Sequence, residues 1–252
     1  DCIKRVGENI LQVKVTDTLS LDYPYGKQCK KRGGMWYTPV SGIWKSVWLE
    51  AVTDKYIERI KITPDLTGVN LEVFGDVQTF SVCVKLPGGG VLEKPFTESV
   101  GRIEIPEEHR RFWTPDAPYL YEMTITAGED VVETYFALRT IEIKKIDGIN
   151  RVCLNGEPIF LHGVLDQGYF PEGIYLPAEE KEYDRDILRM KELGINLLRK
   201  HIKVEPEYFY YACDKLGMLV MQDMVNNGPY SFIRDTAIPT LGYKKRGDKT
   251  GL

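Results

Sequence analysis

Polar residues in three groups between positions 166 and 223 have the side chains best suited to chemistry. Each group ends a short apolar segment, and the groups are Asp166 and Gln167; Arg199, Lys200 and His201; Gln222 and Asp223. A single polar segment end is ordinary solvation. Three together indicate a ligand or substrate site if the segments are neighbouring parallel strands, because parallel α/β folds bind ligands at the carboxyl ends of their strands.

The segments that must position these groups alternate between strand-like and helix-like patterns. In chain order they are a strand at 159–164, a helix at 177–193, a strand at 195–199, a helix at 206–217 and a strand at 218–222. Ile187, Met190 and Leu193 are three residues apart, as on one face of a helix, and Gly194 is a typical stop. Short apolar strands alternating with helices predict a parallel sheet buried on both faces.

Composition and charge exclude several classes of protein. The 252 residues are 43% hydrophobic and 28% charged, which is typical of a globular protein with one large or two to three smaller domains. A net charge of -4 argues against nucleic acid as the main partner. No apolar run approaches the roughly 18 residues of a membrane span, so no membrane partner is predicted.

The cysteines predict free thiols rather than a disulfide frame. The five cysteines are Cys2, Cys29, Cys83, Cys153 and Cys213, and they are scattered without CxxC spacing. An odd, scattered set favours reduced thiols and a reducing compartment, so a cytoplasmic location is favoured. The chain starts at Asp1 rather than a methionine, which leaves a signal peptide, and with it a periplasmic or secreted location, open.

Residues before 159 carry β patterns. Segment 9–15 alternates polar and apolar residues, and segment 41–50 is rich in aromatic residues, so both are predicted strands. Six short runs at 56–63, 68–75, 79–86, 102–105, 120–127 and 131–138 are separated by turn signals and predict an immunoglobulin-like sandwich. The proline-rich corner 113–120 is interpreted as packing. Asn155-Gly156 predicts a hairpin, and the chain after Asp223 is predicted to be loop.

Four of these segments together resemble glycoside hydrolase family 2, the β-galactosidase, β-glucuronidase and β-mannosidase family. The segments are SGIWKSVWLE at 41–50, NGEPIFLHGV at 155–164, GINLLRKH at 194–201 and YACDKLGMLV at 211–220. The resemblance implies a mainly β, then α/β, multidomain fold. Its expected parts are the end of a jelly-roll sugar-binding domain at 1–53, an immunoglobulin-like β-sandwich at 54–143, and the first three strands of a (β/α)8 TIM barrel at 144–252.

The resemblance also implies retaining hydrolysis of β-linked sugars, in which one carboxylic acid protonates the leaving oxygen and a second carboxylate attacks the anomeric carbon. The family places both glutamates on the fourth and seventh barrel strands. The chain matches three strands, so no catalytic residue is assigned, both glutamates are expected downstream, and the chain alone is expected to be inactive. The carboxylates available here, Glu179, Glu180, Glu205 and Glu207, are at predicted helix starts, where the helix dipole explains them.

What the resemblance carries over is a substrate-binding pocket wall. Its expected residues are Asp166, Gln167, Arg199, Lys200, His201 and Asp223. Each alternative is structural: Arg199 as an ion-pair partner, His201 as a hydrogen-bonded core residue, Asp223 as a turn cap. Some members bind magnesium at the position of Asp223, but the accompanying histidine is absent here, so neither a metal nor another cofactor is predicted.

A truncated barrel would leave open strand edges, so the expected partners are a carbohydrate substrate and the remainder of its own barrel. A homo-oligomer is compatible with the sequence. The rival hypothesis is a non-catalytic carbohydrate- or partner-binding module in which Trp36, Tyr37 and Trp44 stack on sugar rings. The exposure of those rings discriminates the two hypotheses, because aromatic residues in strands usually pack in cores or across strands.

Overall fold

A computed structural model describes residues 4, 6–31, 33–225, 228 and 231–242. Cys2 and the parts of the predicted C-terminal loop at 226, 227, 229, 230 and 243–252 lie outside the described residues. The backbone divides into two compact units. One takes its residues from 1–45, 201–204 and 222–252, and the other from 46–200 and 205–221.

Seven antiparallel strands in the second unit form two sheets around one core. They are β1 (Ile57–Pro64), β2 (Gly68–Gly75), β3 (Phe80–Lys85), β4 (Val91–Phe96), β5 (Val100–Glu104), β6 (Tyr121–Ala127) and β7 (Asp130–Phe136). The sheet orders are β1-β2-β5 and β4-β3-β6-β7. The six predicted runs match six of these strands, and β4 is an edge strand that the sequence pattern did not reveal.

Period-two alternation builds the sandwich core. Along β6, Tyr121, Met123 and Ile125 are buried while Glu122 between them is exposed. They pack with buried residues of both sheets, including Leu71 of β2. Burial of one such side chain stabilises the fold by about 1.5–3 kcal/mol. The sandwich therefore has a core of its own.

The proline-rich corner at 113–120 is a packing element, as predicted. Trp113 is fully buried, and its indole N–H donates a 2.6 Å hydrogen bond to the carbonyl oxygen of Asp214. Asp214 also forms a 2.7 Å ion pair with Arg139 and accepts a hydrogen bond from the Tyr135 hydroxyl. The corner thus attaches the sandwich to a helix that lies a hundred residues later in the chain.

A small antiparallel sheet leads from the sandwich to the α/β segment. Its strands are β8 (Ile141–Ile146), β9 (Ile149–Leu154) and β10 (Glu157–Pro158), in the order β10-β9-β8. The predicted Asn155-Gly156 hairpin is confirmed, since these residues join β9 to β10 with φ angles of 54° and 88°. A type I′ turn requires such positive values at both positions.

The predicted order of strands and helices is confirmed, but the first strand begins at Gly163 rather than at 159. The elements are β11 (Gly163–Asp166), α1 (Lys181–Glu192), β12 (Leu197–Lys200), α2 (Glu207–Leu216) and β13 (Leu219–Gln222), with β11 parallel to β12 and a sheet order of β11-β12-β13. Gly217 ends α2 in the left-handed conformation, as its position predicts. The expectation of burial on both faces is wrong for β11, because Val164 and Leu165 are exposed and Phe160 before them is 82% exposed.

Both strands predicted before residue 54 are absent from the described structure. Residues 9–15 are extended without ladder pairing, and neighbouring Ile10 and Leu11 are 79% and 80% exposed, so neither face is covered. Residues 41–50 are likewise irregular, with Val47 and Leu49 exposed. An alternating pattern becomes a strand only where a neighbouring strand supplies hydrogen bonds, and the described residues supply none here.

Short helical turns complete the described elements. A 3₁₀ turn covers Glu107–His109, a π-helical segment covers Ile233–Ala237, and α3 covers Ile238–Thr240. The helical residues at 233–240 correct the expectation that the chain after Asp223 is entirely loop. Isolated bridges join Gln28 to Tyr37 and Gly33 to Trp36, and these give the loop before residue 40 a defined course.

Candidate functional site

A buried lysine joins the ends of β11 and β12 to the start of α2. The Lys200 side chain is 1% exposed, and its ammonium lies 2.7 Å from Asp166 Oδ2 and 2.7 Å from Glu205 Oε1. It also lies 4.4 Å from the centre of the Phe209 ring. A buried cation is tolerated only when it is paired and hydrogen-bonded, and here two carboxylates and an aromatic face meet that condition.

Arg199 and Lys200 project to opposite faces of β12. Side chains alternate along a strand, so Lys200 shares a face with Leu198, which packs among the residues of α1 and α2. Arg199 shares the other face with Leu197, which packs against Trp113. The assignment of both cations to a substrate-binding pocket wall stays a prediction, and the structure places them on opposite faces of the strand. Arg199 is exposed, whereas the Lys200 ammonium faces the helices and is held by carboxylates.

Glu205 has a larger role than a helix-start carboxylate. Its side chain is fully buried, accepts a 2.9 Å hydrogen bond from the Tyr183 hydroxyl, and has its backbone N–H bonded to the hydroxyl oxygen of Tyr210. Burial, followed by the nearby Glu205 carboxylate, raises the pKa of Tyr183. The hydroxyl therefore stays protonated and donates. The buried contacts of Glu205 with Lys200 and Tyr183 show that the helix dipole alone does not explain this carboxylate.

Asp166 and Gln167 differ in how they are held. Asp166 is half-buried, accepts the Gly168 N–H at 2.9 Å and pairs with Lys200, whereas Gln167 is exposed. Both line a cavity of about 340 Å³ beside α1 that also includes Asp186. Burial raises the pKa of Asp186. The structure thus brings Asp166 and Lys200 together and leaves Gln167 at the surface.

The other unit brings together His201 and Asp223, the residues directly after β12 and β13. His201 Nδ1 lies 3.2 Å from Asp223 Oδ2, and His201 Nε2 lies 3.3 Å from the ammonium of Lys27. The Tyr37 ring meets the imidazole edge-on at 6.3 Å, and burial raises the pKa of Tyr37. The sequence predicted His201 and Asp223 but missed Lys27, which is 174 residues away along the chain.

Lys203 and Gln222 support the same unit. Lys203 is buried, and its ammonium lies 5.6 Å from the centre of the Trp44 ring. The Gln222 amide N–H groups donate to the carbonyl oxygens of Lys203 and Asp223 at 2.9 and 2.7 Å. No sequence signal marks Lys203, because a single lysine between strand and helix is normally solvated.

Neither a metal centre nor a membrane helix is found in the described part of the chain. No group of three or more His, Cys, Asp or Glu side chains among residues 4, 6–31, 33–225, 228 and 231–242 could hold a metal ion. Over the same residues, no helix is long and apolar enough to cross a bilayer. Within these ranges the four cysteines, Cys29, Cys83, Cys153 and Cys213, are free thiols, as predicted.

Solved structures similar to this chain include several β-glucuronidases. The structure is similar to that of the Faecalibacterium prausnitzii β-glucuronidase, with a TM-score of 0.61, 27% identity, and coverage of 69% of this chain and 28% of that one. The similarity confirms a mainly β fold followed by helices and strands.

The sequence comparisons agree with the fold. A β-galactosidase of Thermoanaerobacter pseudethanolicus is 26% identical over 215 residues, which are 75% of this chain and 28% of the relative. A β-galactosidase of Lactococcus lactis is 26% identical over 235 residues, or 88% of this chain and 22% of the relative. No family model matches the chain. The chain is nevertheless a homologue of the β-galactosidases and β-glucuronidases, and the resemblance to glycoside hydrolase family 2 is confirmed.

The chain spans less than a third of the length of these relatives. It covers 20% of a β-galactosidase of Pseudoalteromonas haloplanktis and 32% of one of Thermoanaerobacterium thermosulfurigenes. The activity of a whole relative is therefore a proposal for this chain.

Proposed function

We propose that this chain forms part of a retaining exo-glycosidase that hydrolyses the O-glycosyl bonds of β-linked sugars. The observation that carries the proposal is the match over 88% of the chain to a β-galactosidase, together with a fold like that of a β-glucuronidase. We expect the chain to contribute substrate-binding residues.

The finer architecture belongs to the same proposal. We assign 54–143 to an immunoglobulin-like sandwich, 144–252 to the first strands of a TIM barrel and 1–53 to the end of a jelly-roll domain. The two sheets around one core support the first assignment. The parallel pairing of β11 with β12, with α1 between them, supports the second. The third rests on the resemblance of 41–50 to the family.

The residues have different roles in this proposal. We assign sugar contacts to Arg199, which is exposed on the face of β12 opposite the helices, and to His201 and Asp223 after β12 and β13. Gln167 is exposed beside a cavity and is retained as a substrate contact. Asp166 and Lys200 act through their ion pair, which fixes the ends of β11 and β12.

The chemistry itself needs two carboxyl groups. A retaining glycosidase uses an acid and a nucleophile about 5 Å apart, and we assign neither to a residue of this chain. The test compares purified 1–252 with the full gene product that contains it, using 4-nitrophenyl β-D-glycosides. We expect turnover with retention of the anomeric configuration from the gene product and none from 1–252. Turnover by 1–252, or none by the gene product across the series, would contradict the proposal.

The binding-module alternative gains no support from the aromatic rings. Trp36, Tyr37 and Trp44 are all half-buried rather than displayed as a flat row. Trp36 packs against Tyr25, and Trp44 carries the Lys203 ammonium over its face. Packing of this kind is the outcome that the enzyme proposal expects.

A further inference from the structure

Two non-glycine residues with left-handed backbones meet beside His201. Lys27 has a φ of 60°, and Ile202 has a φ of 46°. The carbonyl oxygen of Ile202 lies close enough to Gly26 that an added Cβ there would be 3.2 Å from it. A β-branched residue rarely adopts this conformation, and strain of this kind is concentrated at functional sites. The strained backbone therefore marks the contact between Lys27 and His201 as a candidate functional site.

The turn that carries Lys27 is held from both sides. The Tyr37 N–H donates a 2.9 Å hydrogen bond to the Lys27 carbonyl oxygen, and the Val40 N–H donates a 2.6 Å bond to the Gln28 side chain. Gln28 itself is buried. The Lys27 side chain thus starts from an anchored backbone, so its ammonium is positioned in advance of any ligand.

The contacts of His201 indicate which of its two ring nitrogens carries the proton. An ammonium group only donates, so the Lys27 ammonium at 3.3 Å makes Nε2 the acceptor. The imidazole proton is then on Nδ1 and is donated to Asp223 at 3.2 Å. The imidazole ring separates Lys27 from Asp223, and the described residues place no carboxylate oxygen within the 4.0 Å of an ion pair to Lys27.

We infer that Lys27 is a specificity-determining residue that binds the carboxylate of a β-linked hexuronic acid. An ammonium group has three donors, of which the imidazole accepts one, and its natural complement is an anionic oxygen. His201 and Asp223 directly follow β12 and β13, two neighbouring strands of the sheet that also contains the parallel pair β11 and β12, and such folds bind ligands at strand ends of this kind. The inference rests on the proposed glycosidase function, and it adds that the sugar carries a negatively charged carboxylate.

The test uses pairs of 4-nitrophenyl glycosides that differ only at C6, namely the β-D-glucuronide with the β-D-glucoside and the β-D-galacturonide with the β-D-galactoside. The full gene product is compared with its Lys27→Met, Lys27→Arg and Lys31→Met variants. Lys27→Met should lower kcat/KM for the acidic member about tenfold to hundredfold, as expected for loss of a charge-assisted hydrogen bond. The neutral member has no carboxylate for Lys27 to bind and should lose less, so the ratio of kcat/KM for the acidic member to that for the neutral member should fall. Exposed Lys31 in the same loop is the matched control and should alter neither.

The outcomes separate this inference from the proposed function. Lys27→Arg retains the charge and should retain the preference for the acidic sugar. An equal loss for both members of a pair, or a wild type that prefers the neutral member, would overturn the inference and leave the glycosidase intact. A gene product that hydrolyses no member of either pair would refute the glycosidase itself. A urea unfolding midpoint equal to that of the wild type shows that the Lys27→Met variant is folded.

Discussion

Removing the Lys200 ammonium should be among the most damaging single changes to the folded protein. The Glu205 side chain is fully buried, lies 2.7 Å from the Lys200 ammonium and accepts a 2.9 Å hydrogen bond from the Tyr183 hydroxyl. Truncating one partner of a buried ion pair leaves an uncompensated buried charge, which costs about 3–5 kcal/mol. We therefore expect Lys200→Met to lower the free energy of unfolding by about that amount.

A double-mutant cycle identifies the cause. Glu205→Gln keeps an acceptor for Tyr183 and leaves Lys200 paired with Asp166, so its cost should be about 1.5–3 kcal/mol. The double variant has no uncompensated charge at 205, so it should be more stable than additivity predicts, by about 2 kcal/mol. Urea unfolding followed by tryptophan fluorescence measures all four proteins.

The ion pair of Lys85 with Glu122 serves as the control, because its N–O distance is close to that of Lys200 with Glu205 but both of its side chains are exposed. Lys85 lies 2.6 Å from Glu122, and both side chains are 69% exposed. Exposed pairs are solvated and screened, so Lys85→Met should leave the free energy of unfolding close to the wild-type value. Additive losses in the Lys200 and Glu205 cycle, or a loss for Lys200→Met as small as in the control, would refute the argument from burial.

Two further predictions concern the sandwich and the helix end. Arg102 at 2.9 Å holds the pKa of Asp65 below its usual range, so this pair stabilises the fold above pH about 4, and its contribution is lost as the pH falls further. Arg102→Met should remove that part of the acid dependence of unfolding. Gly217→Ala should destabilise far more than Gly194→Ala, because both have a φ near 80° but an added Cβ at 217 would lie 2.2 Å from a backbone oxygen of Pro115, while the space at 194 is open. Urea midpoints that agree for the two glycine variants would contradict this steric explanation.

Local sequence patterns correctly predicted the elements in which the apolar residues of the pattern are also the residues buried in the fold. The β6 alternation and the helix stop at Gly217 are read from neighbours in sequence, and the structure has both. Strand β4 was missed because Pro95 and charged residues break its pattern, which only an edge strand tolerates. At residues 9–15 the opposite error occurred. A strand was predicted from the alternating pattern, but the described residues supply no neighbouring strand to pair with it.

The candidate site was predictable only as a set of strand ends. The sequence placed His201 and Asp223 after neighbouring strands, and their contact at 3.2 Å follows from that. It could not predict Lys27, because the contact depends on how a distant loop folds. Long-range partners of this kind leave no periodic signal, and here the structure is the only source of them.

Arg199 and Lys200 show how far a period-two argument could have gone. Two consecutive residues of one strand project to opposite faces, so the sequence already implied that their side chains would have different surroundings. Leu197 and Leu198 before them are both apolar, so the pattern alone does not say which cation faces the helices. The buried Glu205 decides the question, since it compensates a lysine ammonium on the helical face and leaves the exposed face to Arg199. A carboxylate that looked like an ordinary helix-start residue therefore explains which of the two cations is buried.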